Sequence, residues 1–366
     1  MTYDVNLVDE QIHLMLSGFG IIDSQVDLIA IGMLYADLRG VDSHGIALLP
    51  LYYKWLQEGA LNVNGCPKIV KTGVSSAVID GGGNFGFLGA SMACDEATRI
   101  AKSSGVAAIT VTNSHHFGAA GFYAHKISSA GLLSFVTTST KVVCVVPPGG
   151  VEPVLGTNPL AYGVPRIERD PIVFDIATAS VAGNRIRVFK YQNKPIPEGW
   201  VVDSEGHYVT DPSVAEDIVY GRLGGGITPL GSKLSMGSHK GYGLSLMTHF
   251  FAGCLSGGSF SGRSILPSDQ RRNPLGRDNI GHFILAIDPS NFGEFSDFTM
   301  SVNEVVEAMH AVESIDSSKP VMLPGEIEQR VMADRLQKGI PVANSLVQQL
   351  RDLAHTLKVP FLMSDK

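Results

Sequence analysis

From Ala77 onward, strand-like apolar runs alternate with helical stretches: Ala77–Ile79, a helix near 89–103, the β-branched run Val106–Val111, a helix after His116, then Leu132–Val136. That alternation predicts an α/β layer. The residues before it read as helices near 8–17, 25–38 and 47–58, the second with Ser24 as its N-cap. After Pro324 the pattern turns helical again. Pro324-Gly325 opens one helix with Glu326 and Glu328 in its first turn, and a second runs from about Asn344 to Leu357. Pro147-Pro148-Gly149-Gly150 and Gly224-Gly225-Gly226 read as turns, and residues 256–279, rich in Ser, Gly and Arg, as an exposed loop.

Bulk properties exclude several classes of function. The net charge is −7 and there is no Lys/Arg-rich block, so the chain lacks the electrostatic footprint of a nucleic-acid or anionic-membrane binder. The N-terminus has no basic stretch followed by an apolar core, and no apolar run is long enough to span a bilayer; a cytoplasmic protein is expected. With 366 residues, two or three lobes are expected. A 44% hydrophobic content against 17% charged suggests apolar surface hidden between subunits, hence an oligomer. Cys66, Cys94, Cys144 and Cys254 show no C-x-x-C spacing and read as buried thiols.

The chemistry-bearing residues cluster at element ends. Asn113-Ser114-His115-His116-Phe117-Gly118 follows the Val106 strand, which puts paired imidazoles at a strand's carboxyl end, where open α/β layers bind ligands. The helix after Phe117 would turn its positive end toward the same crevice. Alone, such histidines read more readily as caps or satisfied structural groups than as catalysts. A second cluster, Arg39-Gly40-Val41-Asp42-Ser43-His44-Gly45, strengthens the functional reading, because flanking Asp and Ser can orient a histidine ring and fix its tautomer.

Gly81-Gly82-Gly83-Asn84-Phe85-Gly86 satisfies the dinucleotide fingerprint, but no strand-end acid follows at the usual interval of about 20 residues, and it reads better as a glycine turn. Asp175-Ile176-Ala177-Thr178, after the strand Ile172–Phe174, offers groups suited to ribose and phosphate, or to capping a turn. His239-Lys240-Gly241-Tyr242-Gly243 leads into a helix over 244–253, where Lys240 could meet an anion or simply be solvated. No metal-ligand spacing and no G-x-S-x-G elbow occur. Redox chemistry on a bound cofactor is the best remaining use of these clefts.

Taken in order, Asp42-Ser43-His44-Gly45, His116-Phe117-Gly118, Gly156-Thr157-Asn158-Pro159, Asp175–Thr178, His239–Gly243, Asn279–His282 and Pro324-Gly325-Glu326 resemble the malate/L-lactate dehydrogenase family of the second type. That family also holds ureidoglycolate, sulfolactate and 2,3-diketogulonate dehydrogenases and cyclic imino-acid reductases. The resemblance covers nearly the whole chain. It implies an NAD(P)-binding α/β domain unlike the Rossmann domain, over 76–319, with a mostly helical substrate and dimerisation domain from 1–75 and 320–366. It also implies a homodimer. By similarity, His116 and His44, with Ser43 beside it, take the catalytic positions. Ser139, Thr140, Asp175, Ile176, Ala177, Thr178, His239, Lys240, Pro324, Gly325 and Glu326 fall at cofactor-binding positions, for NAD or NADP.

Two departures stand out. Relatives commonly carry an Asn-Ser-Pro run where this chain has Ser139-Thr140-Lys141-Val142, and an arginine four residues beyond the first histidine, where this chain has Leu48. An arginine there could grip a substrate carboxylate as a fork; leucine cannot. The expectation is hydride transfer between NAD(P) and a 2-hydroxy acid/2-oxo acid pair. Reduction of a cyclic imino acid is the alternative within enzymes, and a catalytically silent oligomeric binding protein is the alternative outside them.

Overall fold

A computed structural model describes residues 1–191, 193–221, 223–259 and 279–363. Of the exposed loop expected over 256–279, residues 260–278 lie outside the described residues. The chain opens with β1 (Thr2–Tyr3), α1 (Val5–Gly18) and α2 (Asp23–Leu38). Two 3₁₀ turns, Asp42–His44 and Ile46–Leu48, lead into α3 (Leu49–Gln57). Next come β2 (Lys68–Thr72), β3 (Ser76–Asp80), α4 (Gly86–Ser104), β4 (Val106–Ser114), α5 (Ala120–Ser129) and β5 (Leu133–Thr138). The middle holds β6 (Leu160–Val164), β7 (Ile172–Ile176), α6 (Gly183–Tyr191), β8 (Val201–Val202), β9 (Tyr208–Val209), α7 (Pro212–Gly221), β10 (Gly226–Ile227) and α8 (Ser238–Thr248). The remainder is β11 (Ile280–Ile287), α9 (Phe295–His310), α10 (Glu326–Lys338), β12 (Ile340–Pro341) and α11 (Asn344–Leu357).

The expected α/β layer is a seven-stranded sheet in the order β2-β3-β4-β11-β5-β6-β7. Strands β3 and β4 pair in parallel, Ser76 opposite Ala108 through Asp80 opposite Thr112, and α4 supplies the crossover that a parallel pair requires. Their carboxyl ends therefore lie side by side. Strand β4 is buried along most of its length, as its β-branched composition demands.

Chain contacts divide the protein into two compact units, one of residues 1–136, 161–174 and 284–366, the other of 137–160 and 175–283. These boundaries differ from the expected 1–75 with 320–366 and 76–319. The first unit contains two apolar clusters. One joins the N-terminal helices to α11 through Ile12, Met15, Ile29, Met33, Tyr52 and Leu350; the other packs α4 and α5 on the sheet through Ile79, Cys94, Ile109, Val111 and Tyr123. The second unit is built around Val145, Leu155, Ile186, Val201, Ile218 and Ile227. No helix among the described residues is long and apolar enough to cross a membrane.

Some local expectations are corrected. The N-cap of α2 is Ile22, and Ser24 lies inside the first turn, because Asp23 already adopts helical geometry. The helix expected over 244–253 starts at Ser238, placing His239 and Lys240 inside its first turn, and ends in a π-helical segment, His249–Cys254. Asp175 and Ile176 are the last residues of β7 and do not follow it. Cys94 and Cys144 are buried as expected, but Cys66 and Cys254 are exposed.

Candidate active site

His115 and His116 leave β4 where it ends beside β3. The backbone there is held tightly: Gly86 at the start of α4 donates its N–H to the His116 carbonyl at 2.9 Å. Gly118 adopts φ +77° against the Phe87 ring, where a Cβ would come within 2.6 Å of Cε1 and Cζ. That turn sends the His116 side chain to Tyr52, whose hydroxyl lies 2.8 Å from Nδ1, and Gly118 donates its N–H to the same nitrogen at 3.3 Å. The two imidazoles part company: His115 is buried and packs edge-on against Trp55 at 4.8 Å, while His116 remains partly open.

Tyr52 and Trp55 reach this spot because they lie three residues apart on α3 and share a helical face. Tyr52 is fully buried, with Phe85 edge-on at 4.9 Å, and burial pushes its phenol well above the ordinary range. The phenol is therefore neutral near pH 7. It can donate to Nδ1 or accept from it, following either tautomer of His116.

His44 arrives from the other cluster. Its ring stacks on that of His116 with centroids 5.7 Å apart and planes inclined 23°, and Ser43 Oγ lies 2.8 Å from its Nδ1. The surrounding protein strips water from this imidazole and pushes its pKa down to about 4, so it is neutral at physiological pH. Thus His116, His44 and Ser43, some 70 residues apart in the chain, form one constellation with Tyr52.

The loop carrying Ser43 and His44 is anchored at both ends. Asp42 pairs with the guanidinium of Arg335 on α10, with Nη2 to Oδ2 at 3.3 Å, and Arg335 Nη1 also donates to the Asp37 carbonyl. The buried Asp37 carboxylate accepts the Ile46 N–H at 2.8 Å.

Cofactor-binding candidates fall in separate places. In the second unit, Asn158, buried at φ +33°, is a hub: Thr140 Oγ1 donates to its side-chain oxygen at 3.1 Å, and its amide donates to Ser245 of α8 at 3.2 Å. Thr178 Oγ1 donates toward the Thr157 and Asn158 carbonyls at 3.0 and 3.1 Å. Thr140, Thr178 and α8, which carries His239 and Lys240 exposed in its first turn, are thereby brought together. Ser139 goes elsewhere, with its hydroxyl accepting the Gly281 N–H at 3.0 Å. Asp175 is exposed, and Ile176 and Ala177 are half-buried. In the first unit, Gly325 at φ +90° lets the Pro324–Glu326 turn approach Val173 of β7, where a Cβ would stand 3.0 Å from the carbonyl oxygen. Although its partial burial works the other way, the Leu323 N–H and His310 hold the Glu326 carboxyl below its ordinary value.

The glycine fingerprint is a turn. Its N–H groups bind protein atoms: Gly81 to Thr112 O, Gly82 to Asp80 Oδ1 at 2.9 Å, and Gly83 to Asn113 O at 2.7 Å. Gly65 packs so closely that a Cβ on it would be 2.1 Å from the Gly82 oxygen. No backbone donor of these three glycines is left for a diphosphate.

Sequence reasoning missed Tyr52, Asp37, Arg335 and Asn158 as site residues. Only Tyr52 carried a signal, in its helical spacing to Trp55; an Asp in a helix's last turn and an Arg near a helix's end are common for reasons of their own.

Matched to models of known families, residues 4–351 fit that of malate/L-lactate dehydrogenase. Among individual proteins, the chain is 30% identical to a malate dehydrogenase of Pyrococcus horikoshii over 346 residues, 94% of this chain and 92% of that one. It is also 30% identical to a Δ¹-pyrroline-2-carboxylate/Δ¹-piperideine-2-carboxylate reductase of Pseudomonas putida, over 87% of this chain and 86% of the other. The crystal structure of malate dehydrogenase from Entamoeba histolytica superposes with a TM-score of 0.89 at 27% identity, covering 98% of this chain and 99% of that one.

Proposed function

The chain belongs to the malate/L-lactate dehydrogenase family, and from that premise we propose that it transfers hydride between a nicotinamide dinucleotide, NAD or NADP, and a 2-hydroxy acid/2-oxo acid pair. The observation that carries this reading is the pairing of His116 Nδ1 with the buried Tyr52 hydroxyl while the neutral His44 ring stacks alongside.

The residues fit such a cofactor. The eleven-residue helix α8 has Gly237, φ +98°, as its N-cap, without a side-chain cap or an acidic residue in its first turn, and presents Lys240 and His239 to solvent. On Gly243 an added Cβ would meet nothing within 4 Å. A positive helix end with an exposed lysine and open glycine backbone suits a dinucleotide's anionic diphosphate. His239, Lys240 and the Thr140 and Asp175–Thr178 segments of the second unit would hold it. Once bound, the nicotinamide supplies the hydride chemistry.

The chain's own residues move the proton. In oxidation, His116 takes the substrate hydroxyl proton on Nε2 in the tautomer whose Nδ1–H donates to Tyr52 Oη, the 3.3 Å Gly118 contact belonging to the other tautomer. In reduction, Nε2 returns a proton to the oxygen that becomes the hydroxyl. An imidazole, with an unperturbed pKa of about 6.5, serves both directions near neutral pH. His44, kept neutral and oriented by Ser43, polarises the same oxygen. His116→Ala should lower kcat by about 10²-fold or more, with cofactor affinity nearly unchanged. An alanine variant that keeps most of its kcat would sink this assignment. The homodimer is part of the same proposal and is read by sedimentation.

A cyclic imino acid is the second reading, supported by the similarity to the Pseudomonas putida reductase. The same hydride geometry would serve, with His116 protonating nitrogen. Rates on 2-oxo acids and cyclic imines, measured side by side with both cofactors, decide between them.

A further inference from the structure

The backbone around His44 is shaped by Asp37, in the last turn of α2. Helix α2 ends at Leu38, the chain reverses through Gly40 at φ +79°, and it comes back over its own last turn. At the return, Gly45 lies directly on the Asp37 carboxyl group: a Cβ there would be 1.9 Å from Oδ1 and 2.0 Å from Cγ. One residue later, the Ile46 N–H is donated to Oδ2. On the other side of Ser43-His44, Asp42 is gripped by Arg335, which also bonds the Asp37 main-chain carbonyl. Both ends of the histidine-bearing loop thus terminate on Asp37 or on the arginine bound to its backbone.

We infer that Asp37 is a positioning residue, whose carboxyl group fixes the Ser43–His44 loop so that the His44 ring stacks on His116, and whose ionisation makes that placement respond to pH. This inference rests on the proposed role of His44. Two observations favour it over a merely structural aspartate. The first is location: the carboxyl is only 2% exposed, accepts a main-chain donor from the loop itself, and is covered by a residue that could not be anything but glycine without displacing it. The second is electrostatic. The charged groups facing it are Asp42 from the first 3₁₀ turn, which opposes its ionisation, and Arg335 from α10, which favours it. Burial outweighs both the Ile46 hydrogen bond and Arg335, pushing the carboxyl up to about 7. A charge that turns on near neutrality, against the loop's own backbone, alters the strength of the Ile46 bond there, since charge-assisted hydrogen bonds are the stronger kind.

The sign for stability follows. The folded-state value lies above the unfolded 3.8, so this group's contribution to stability is complete below about 3.8 and is lost as pH rises through about 7.

The test compares Asp37→Asn, which keeps an acceptor for Ile46 but cannot ionise, with Asp37→Ala, which keeps neither. Three readouts are taken on the full protein: Tm against pH, kcat against pH, and amide hydrogen exchange. Asp37→Asn should lose the component of the Tm decline between about pH 4 and 7 and the matching inflection in kcat, while retaining activity. Asp37→Ala should raise exchange over residues 40–48 and lower kcat by about 10²-fold, as expected when a catalytic group is displaced by about 1 Å. The inference is overturned if Asp37→Asn superposes on wild type in both pH profiles, or if Asp37→Ala leaves exchange in the loop unchanged. If exchange rises but kcat does not fall, the link between loop and catalysis fails through His44's proposed role, whereas the anchoring is upheld. Should Asp37→Ala not fold, the two pH profiles of Asp37→Asn decide alone.

Discussion

Replacing Tyr52 with phenylalanine removes one oxygen from the candidate site and almost nothing else. The ring stays, so its edge contact with Phe85 at 4.9 Å and its tilted packing on Trp55 at 5.8 Å persist and no cavity opens. Stability should then change by no more than about 1 kcal/mol, whereas Tyr52→Ala would cost about 3–5 kcal/mol and confound the experiment. What is lost is the 2.8 Å contact to His116 Nδ1. A net hydrogen bond is worth about 0.5–1.5 kcal/mol; if it acts wholly on the transition state, kcat falls by about 2- to 13-fold. Because burial keeps the phenol neutral around pH 7, Tyr52 itself adds no ionisation there. The variant's pH profile should gain or lose no limb. Steady-state rates in both directions, followed by nicotinamide absorbance across the neutral range, supply the numbers. An unchanged kcat would refute the orienting role, and a fall beyond about 10³-fold with the fold intact would mean that Tyr52 handles the reacting proton directly.

Lys240→Met should weaken binding of NADH or NADPH in a fluorescence titration without lowering Tm, and unchanged affinity would return Lys240 to solvent duty. Leu48 should disfavour small dicarboxylates, since a buried carboxylate without a cationic fork is costly. Leu48→Arg should therefore gain on malate relative to larger alkyl or aryl 2-hydroxy acids and cyclic imines; malate as the best wild-type substrate, with no gain in the variant, would count against it. His44, held at about 4 against 6.5 in the unfolded chain, contributes stability that is complete above about 6.5 and is lost as pH falls toward 4. His44→Asn should flatten that acid limb of the Tm profile, and an acid limb identical to wild type would contradict the burial argument.

The layered core was legible because strand β4 and the helices around it repeat simple periods, and His116 stood out because it follows such a strand directly. Gly81–Gly83 was also readable as a turn, since the acid a dinucleotide site needs does not follow it. Asp37 and Arg335 were not legible: they meet across 298 residues of chain, and neither departs from what ordinary helix ends contain. Asn158 was seen as part of a pattern, but its value lies in a left-handed backbone that gathers Thr140, Thr178 and Ser245, a property of conformation that residue type alone does not announce. Ser24 misled because its preference for N-caps was overridden by Asp23 entering the helix first.

The close passage of Gly45 over Asp37 divides the stretch from 37 to 48 into two kinds of position for anyone reshaping substrate range. Randomising Gly45 would fill a library with misfolded members, because every other amino acid brings a Cβ into the carboxyl group. Leu48 sits two residues beyond the Ile46 tether and is half-buried. Variation concentrated there, with 37, 45 and 335 left alone, would explore new side chains on an unaltered backbone, so that a changed substrate profile could be traced to the side chain itself.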